Sequence, residues 1–328
     1  MIPRGSVMGF SVALVVSALG AFLPTGASGF TLAHPYVETG SVDQWANKLA
    51  DCAANVIVTP VDVLGEGKLG RPTDIAEGVA AGLIDMAILP ANALRKEWPE
   101  LSKLGNPGYV YDAQDMMALS ESMTFLQSID EIGDKPKPLS LIALGWRHAT
   151  LVGTPMRMED LRGLRLRPID PQSAQLLANL GANPVPVPFQ EAFAALDFGY
   201  IDGAVVDTEF VRNSISMLPL KVLNEATGLA PFSSPIVIVM NTANAAAMGH
   251  GIPNRIRSEC LSVTVEFNHK AAENMSNLFE RAKSAGMQVN SLSAQERAQW
   301  HDALESARAE WISKKDPVAL AVLKALKK

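Results

Sequence analysis

The chain has 328 residues, 48% of them hydrophobic and 19% charged, which suits two domains or lobes with proper cores and excludes a disordered or low-complexity protein. The formal net charge of −6 argues against nucleic acid, whose binding needs clustered cations facing phosphates. A mildly acidic chain still binds anions where a few cations are concentrated in a cleft.

Residues 1–29 stand apart from the rest. Arg4 is the only charge before Glu38, Val7 to Leu23 form an apolar run rich in small residues, and Pro24 leads into Thr25-Gly26-Ala27-Ser28-Gly29. A membrane anchor is the competing reading, but the run is slightly short and is diluted with Ser, Gly and Ala. The expectation is a cleaved signal peptide over 1–29, with the mature chain starting at Phe30 and exported.

Strands and helices then alternate. Phe30 to His34 reads as a strand. Ser41 and Gln44 form a capping box for a helix whose buried stripe is Val42, Trp45, Ala46, Leu49 and Ala53. Val56 to Leu64 reads as a strand, glycines 65, 67 and 70 as a loop, Thr73 to Ala81 as a helix stopped by Gly82, and Asp85 to Leu89 as a strand. Such a series implies a largely parallel sheet covered by helices on both faces. Further strands are expected near 139–146, 164–168, 184–187, 200–206, 220–224 and 234–240. Pro253 to Lys283 reads as one long helix, followed by a strand at Gln288 to Leu292. Ser293 and Glu296 form a second capping box for a helix to about Lys314, and Pro317 starts a last helix. With no Gly/Ser linker, the lobes should be joined by short strand crossings. Cys52 and Cys260, the only cysteines, fall in separate predicted helices more than two hundred residues apart, and two free, buried thiols are expected.

Enzyme signatures are missing: there is no GxSxG, HExxH, Walker loop, or GxGxxG followed by a suitably placed acid. Gly65 to Gly70 matches GxGxxG in spacing, but Glu66 lies inside it and Pro72 follows, so it reads as a turn. No two of the five histidines share a helical i+3 or i+4 spacing, so neither a metal nor a cofactor is expected. His34, at a strand end, and His148, beside Arg147, could each line a cleft or serve packing.

The richest segment is 145–207. Arg165 and Arg167 alternate with Leu164 and Leu166, so both should leave their strand on one face. Arg167 stands at the strand's carboxyl end, directly before Pro168, and ligands of open parallel sheets bind beyond such ends. A guanidinium there offers paired donors that match a carboxylate. Spacing alone favours a surface arginine on an edge strand over this role.

These motifs, taken in order, resemble the solute-binding proteins of TRAP (tripartite ATP-independent periplasmic) transporters, DctP family, over nearly the whole mature chain. They are Leu69-Gly70, Glu77-Gly78, Gly82-Leu-Ile-Asp85-Met86, Glu159-Asp160-Leu-Arg-Gly163-Leu-Arg-Leu-Arg167-Pro168, Leu180-Gly-Ala-Asn-Pro184-Val-Pro186, Phe189-Gln-Glu191, Ala195-Leu196, Ile201-Asp202-Gly203 and Val239-Met-Asn241. The resemblance implies a periplasmic-binding-protein-like α/β fold, with two α/β lobes around a ligand cleft and a long helix bracing both. The lobes would be 30–144 plus 233–272 and 145–232 plus 273–328.

The resemblance also implies that Arg167 binds the substrate carboxylate and that Arg147 is its partner. The family commonly carries a ligand-contacting Asn where this chain has Val206, which leaves Asp207 to accept a hydrogen bond from a hydroxyl or ammonium. Tyr109 at the first lobe's rim, Glu38 after the first strand, His34 and Trp45 are weaker candidates, and Trp45 also fits a core role on its helix. The implied function is extracytoplasmic capture of a small organic acid for delivery to membrane subunits, without catalysis. A binding protein that reports its ligand to a signalling receptor is the alternative.

Overall fold

A computed structural model of the chain describes residues 29–36, 38–66, 68–106, 109, 113–132, 136–143, 147–151, 157–188, 191–207, 222–224, 235–286, 288–290 and 293–326. The expected signal peptide, save Gly29, lies outside the described residues. Two sheets organise the molecule. The first has the order β2-β1-β3-β10-β4, from β1 (Phe30–Ala33), β2 (Val61–Leu64), β3 (Met86–Pro90), β4 (Lys137–Ala143) and β10 (Pro235–Met240). The second has the order β11-β9-β5-β8-β6-β7. Its strands are β5 (Arg147–Leu151), β6 (Arg165–Arg167), β7 (Asn183–Pro184), β8 (Gly203–Asp207), β9 (Val222–Asn224) and β11 (Gln288–Asn290).

Both faces of the first sheet are covered, because its strands alternate between two cores. Leu32, Met86, Ile88, Ile236, Ile238 and Met240 point toward α1 (Ser41–Ile57). Ala33, Ala87, Leu89, Val237 and Val239 pack with α2 (Pro72–Ala80) and with Phe125, Leu126 and Ile129. The second sheet buries Leu166 and Val205 against Leu161, Leu176, Leu177 and Trp300.

Each sheet contains one reversed strand. In the first, β10 runs antiparallel to β3 and β4. In the second, β5 runs antiparallel to β8 and β9, while the other pairings are parallel. Strand β5 follows β4 after residues 144–146, so it enters its sheet from the edge where β4 ends. Each reversed strand follows a strand of the other sheet in the described element order, β5 after β4 and β10 after β9.

Several sequence expectations need correction. Helix α1 runs on to Ile57, because Val56 and Ile57 belong to its buried stripe, and left-handed Val58 at φ 56° ends it; β2 thus starts only at Val61. Ser41 does not cap α1. Gly40 is the N-cap, and Asp43 and Gln44 tie the first turn to Thr39, accepting from its N–H at 3.1 Å and donating to its carbonyl at 3.0 Å. The expected helix 253–283 is two, Ile252–Glu259 and Leu261–Ser284, broken at Cys260.

That break brings Cys260 against α1, where it forms a disulfide with Cys52, with a Cα–Cα distance of 5.9 Å. The expectation of two free thiols is wrong: 208 residues of separation did not keep apart two residues of one core. The 24-residue helix Leu261–Ser284 lies against α1 and β4 and leads into β11 of the second sheet. Its links to the first sheet's layer are Trp45 Nε1 to the Val263 carbonyl at 3.1 Å, Ser140 with Thr264 at 3.1 Å, and Asn268 to Ser120 at 2.8 Å. The last helix, Pro317–Leu326, falls in the range assigned to the second lobe, yet its Val318, Ala319, Ala321 and Val322 pack in the first sheet's core.

Candidate functional site

The carboxyl ends of β1, β2, β3 and β4 share one edge of the first sheet, since β10 is antiparallel to both β3 and β4. In the second sheet, β6 and β8 end at Arg167 and Asp207, on the edge where antiparallel β5 begins at Arg147. Whatever path residues 144–146 take, four Cα steps hold Ala143 and Arg147 within about 15 Å of each other. Connectivity thus sets the carboxyl edge of the first sheet beside the edge carrying Arg147, Arg167 and Asp207.

Arg165 and Arg167 meet different surroundings. The Arg165 side chain is 45% exposed and forks onto Asp202, with Nε at 3.0 Å and Nη2 at 2.6 Å, while its backbone N–H donates to the same carboxylate at 2.8 Å. Hydrogen bonding from Arg165 holds the Asp202 carboxyl below its usual range. The Asp of the Ile-Asp-Gly motif is thereby spent on the strand of the Leu-Arg-Leu-Arg motif.

Arg167 is only 7% exposed. Its Nε donates to the Val187 carbonyl at 2.8 Å and Nη1 approaches the Val205 carbonyl at 3.4 Å, so the fold orients the guanidinium from within. Pro168, lacking an N–H, ends the strand. Asp170 then caps the helix Pro171–Asn179, accepting from the Ser173 N–H at 2.8 Å.

Backbone pairing relates the other candidates. Arg147 stands opposite Asp207 and His148 opposite Val206, while Arg167 stands opposite Ala204. Val206 therefore shares register parity with Arg167, and Asp207 shares it with Arg147.

On the first sheet's edge, His34 follows β1 directly and is fully buried. Its Nε2 lies 3.1 Å from Asp43 Oδ1 and its ring stacks on Tyr36 with centroids 6.2 Å apart. Burial pushes the imidazole below its ordinary 6.5, with Asp43 opposing, so the ring is neutral at pH 7. Gly65, after β2, must lack a side chain here: a Cβ would come within 2.7 Å of His34 Cε1. Glu38 is ion-paired with Lys68, both partly exposed.

Trp45 and Tyr109 sit in the cores. Trp45 is 3% exposed, packs at a tilt against Phe267 with ring centroids 5.1 Å apart and gives its N–H to the Val263 carbonyl, so it sits in the core. Tyr109 is buried among first-core residues, and burial pushes its phenol up, with nearby Asp316 acting in the same sense. Of the eight candidates, the described geometry gathers Arg147, Arg167, Val206 and Asp207 on one edge and His34 and Glu38 on the other. The sequence reading missed Asp43 as the partner of His34. An acid in a helix's first turn, nine residues after His34, was the available signal.

Residues 39–315 match the profile of DctP, bacterial extracellular solute-binding protein, family 7. The chain belongs to that family. It is 28% identical over 158 residues to solute-binding protein RD1_1052 of Roseobacter denitrificans, a match spanning 47% of this chain and about half (48%) of that relative's length. It is 24% identical over 323 residues to the 2,3-diketo-L-gulonate-binding periplasmic protein YiaO of Escherichia coli, covering 96% of each. A TRAP periplasmic solute-binding protein from Haemophilus influenzae, solved with bound L-gulonate, superposes with a TM-score of 0.77 at 17% identity, covering 91% of this chain and 98% of the other. One from Rhodoferax ferrireducens with bound malonate gives 0.75 at 18%, covering 91% and 97%. The DctP family is one of TRAP solute-binding proteins rather than enzymes, and the two-lobed α/β fold is theirs. No helix among the described residues is long and apolar enough to cross a membrane.

Proposed function

We propose that this chain is the extracytoplasmic solute-binding subunit of a TRAP transporter, capturing a small carboxylate between its lobes for delivery to membrane subunits. The observation that carries this reading is Arg167: a guanidinium only 7% exposed, held by backbone carbonyls, at the carboxyl end of a parallel strand. Arg167 pairs with the carboxylate, and Arg147 joins it from β5, two strands away across β8. Val206 contributes apolar contact where the family commonly has Asn, and Asp207 accepts from a ligand hydroxyl or ammonium. Glu38 faces the ligand from the first sheet's edge, while His34 is fully buried behind it. Closure is a population shift driven by ligand contacts with both lobes, and exclusion of water strengthens the charge-assisted bonds.

Export fits the chemistry of the chain. The first strand begins at Phe30, where the mature chain is expected to start, and the Cys52–Cys260 disulfide suits an oxidising compartment. Relatives whose names or bound ligands are 2,3-diketo-L-gulonate, L-gulonate and malonate support a carboxylate ligand.

A thermal-shift screen over organic acids tests the reading. An acid present at 100 times its dissociation constant should add about 2.7 kcal/mol of stability. A library of sugar acids, hydroxy acids, 2-oxo acids, dicarboxylates and aromatic acids that leaves the melting temperature unmoved would overturn it.

A further inference from the structure

The Arg167 guanidinium rests on carbonyls that lie on either side of its own strand. Strand β6 sits between β8 and β7. Nε of Arg167 donates to Val187, just beyond β7, and Nη1 approaches Val205 of β8. Sliding β6 along either neighbour would carry the head group away from those carbonyls. Only two residue pairs relate β6 to β8, Leu166 with Gly203 and Arg167 with Ala204. A pairing that short, with a glycine in it, specifies its register weakly.

The two sides are secured differently. Toward β7, the Asn183 N–H donates to the Leu164 carbonyl at 2.8 Å and the Val185 N–H to the Leu166 carbonyl at 2.9 Å. Toward β8, a side chain adds to the ladder. The Asp202 carboxylate, one residue before β8, accepts from three donors of Arg165: the backbone N–H at 2.8 Å, Nε at 3.0 Å and Nη2 at 2.6 Å. The Asp202 N–H returns a bond to the Arg165 carbonyl at 2.8 Å. By the β6–β8 register these two residues stand side by side, with Arg165 two positions before Arg167 and on its face of the sheet. Solvent leaves the pair little stabilising effect. Its fork is directional all the same, and a bidentate guanidinium–carboxylate pair fixes geometry as well as adding energy.

Building on the reading of Arg167 as the carboxylate anchor, we propose that Asp202 is a positioning residue for it: by clamping Arg165, Asp202 sets β6 against β8 and so places the Arg167 guanidinium. Binding groups need to be held to within about 0.5 Å by the residues behind them. Asp202 touches neither Arg167 nor the acid in this account, and acts only through the strand that carries the anchor.

Solvent exchange of the Arg167 Nε–H, followed by NMR in mature protein with isotope-labelled arginine, reads that placement with no acid present. The signal is assigned by its loss in Arg167→Lys. Bonded to Val187, this proton should exchange slowly in the wild type. Asp202→Ala should speed its exchange by about tenfold, as expected when charge-assisted bonds are removed, while the melting temperature stays close to wild type. Asp202→Asn keeps an oxygen for the Arg165 N–H and should restore most of the protection. Wild-type exchange in a folded Asp202→Ala protein overturns the proposal, and so does an Asp202→Asn protein that exchanges as fast as Asp202→Ala. An equal rise at the backbone N–H of buried Leu177 would mean that the whole second core has loosened, and that overturns it too. If Asp202→Ala does not fold, Arg165→Ala decides by the same criterion, because it opens the same fork from the other side. A negative acid screen would remove the carboxylate reading, whereas these exchange rates decide the placement of Arg167 whatever the screen returns.

Discussion

Arg165 and Arg167 lie two residues apart on one strand, and their surroundings divide their work. Arg165 forks onto Asp202 at the surface, where solvent screens the pair and leaves it little stabilising effect. Arg167 is turned inward and held by the carbonyls of Val187 and Val205. Alternation along the strand is legible in the sequence, but this division is not, because it depends on Asp202, 37 residues away.

His34 gives a second test at the residue scale. Burial lowers its folded-state pKa below 6.5, against the pull of Asp43 and Glu38. The unfolded chain therefore takes up a proton at a higher pH than the folded one. Stability tied to neutral His34 is fully present above pH 6.5 and is lost as pH falls through the lowered folded value. Denaturant unfolding at pH 7.5 and 5.5 should show this decline, and His34→Gln, which does not titrate, should flatten it. The same slope in both proteins would contradict the assignment. Carboxylates with lowered pKa, such as Asp202, lose their contribution only at more acidic pH, so the windows are separate.

At the scale of elements, the motifs that carry the family resemblance turn out to be joints. Gly163, at φ 80°, donates its N–H to the Gly181 carbonyl at 2.8 Å and accepts from Asn183 Nδ2 at 3.0 Å, which locks the strand of Arg167 to the Leu-Gly-Ala-Asn turn. Asp85 accepts from Thr31 Oγ1 at 2.9 Å and from Asn244 Nδ2 at 2.6 Å, and so ties β1, β3 and the segment after β10 together.

Two glycines should fail for different reasons. Gly163→Ala meets no atom within 4 Å, so its penalty is the left-handed backbone alone, about 1–2 kcal/mol. Gly65→Ala drives a Cβ into the buried His34 ring and should cost about 1–3 kcal/mol of overpacking. Its signature would be a changed pH slope of stability, which Gly163→Ala should leave alone. Denaturant titrations of both variants across pH separate the two mechanisms. A Gly65→Ala protein as stable as wild type, with the same pH slope, would show that the His34 ring yields freely.

Local signals were readable where the chemistry was local. The capping box of Ser293 and Glu296 forms as expected, with the Ser293 N–H donating to Glu296 at 2.7 Å. The break at Cys260 was not readable, because apolar periodicity runs through it, and Cys260 lies in one core with the residues of α1.

Across the whole molecule, the alternating order of elements conveys two α/β layers, but chain order misassigns the last helix, which returns to the first core. The reversed strand in each sheet is the one that follows a strand of the other sheet, β5 after β4 and β10 after β9. The disulfide has the same long-range origin: it closes 208 residues of chain, within which the second sheet's strands β5 to β9 lie. Replacing Cys52 and Cys260 by Ser should lower stability by about 2–5 kcal/mol, and mature protein treated with reductant should show a similar drop in denaturant midpoint. Equal midpoints with and without reductant would mean that the bridge adds no stability.

The central claim is that a carboxylate is anchored on Arg167. Calorimetry with the acid that gives the largest thermal shift, on wild type and on Arg167→Ala, tests it most directly. Loss of one partner of a buried charge pair should weaken binding by about 2–5 kcal/mol. Unchanged affinity in an Arg167→Ala protein that retains the wild-type fold would contradict the account.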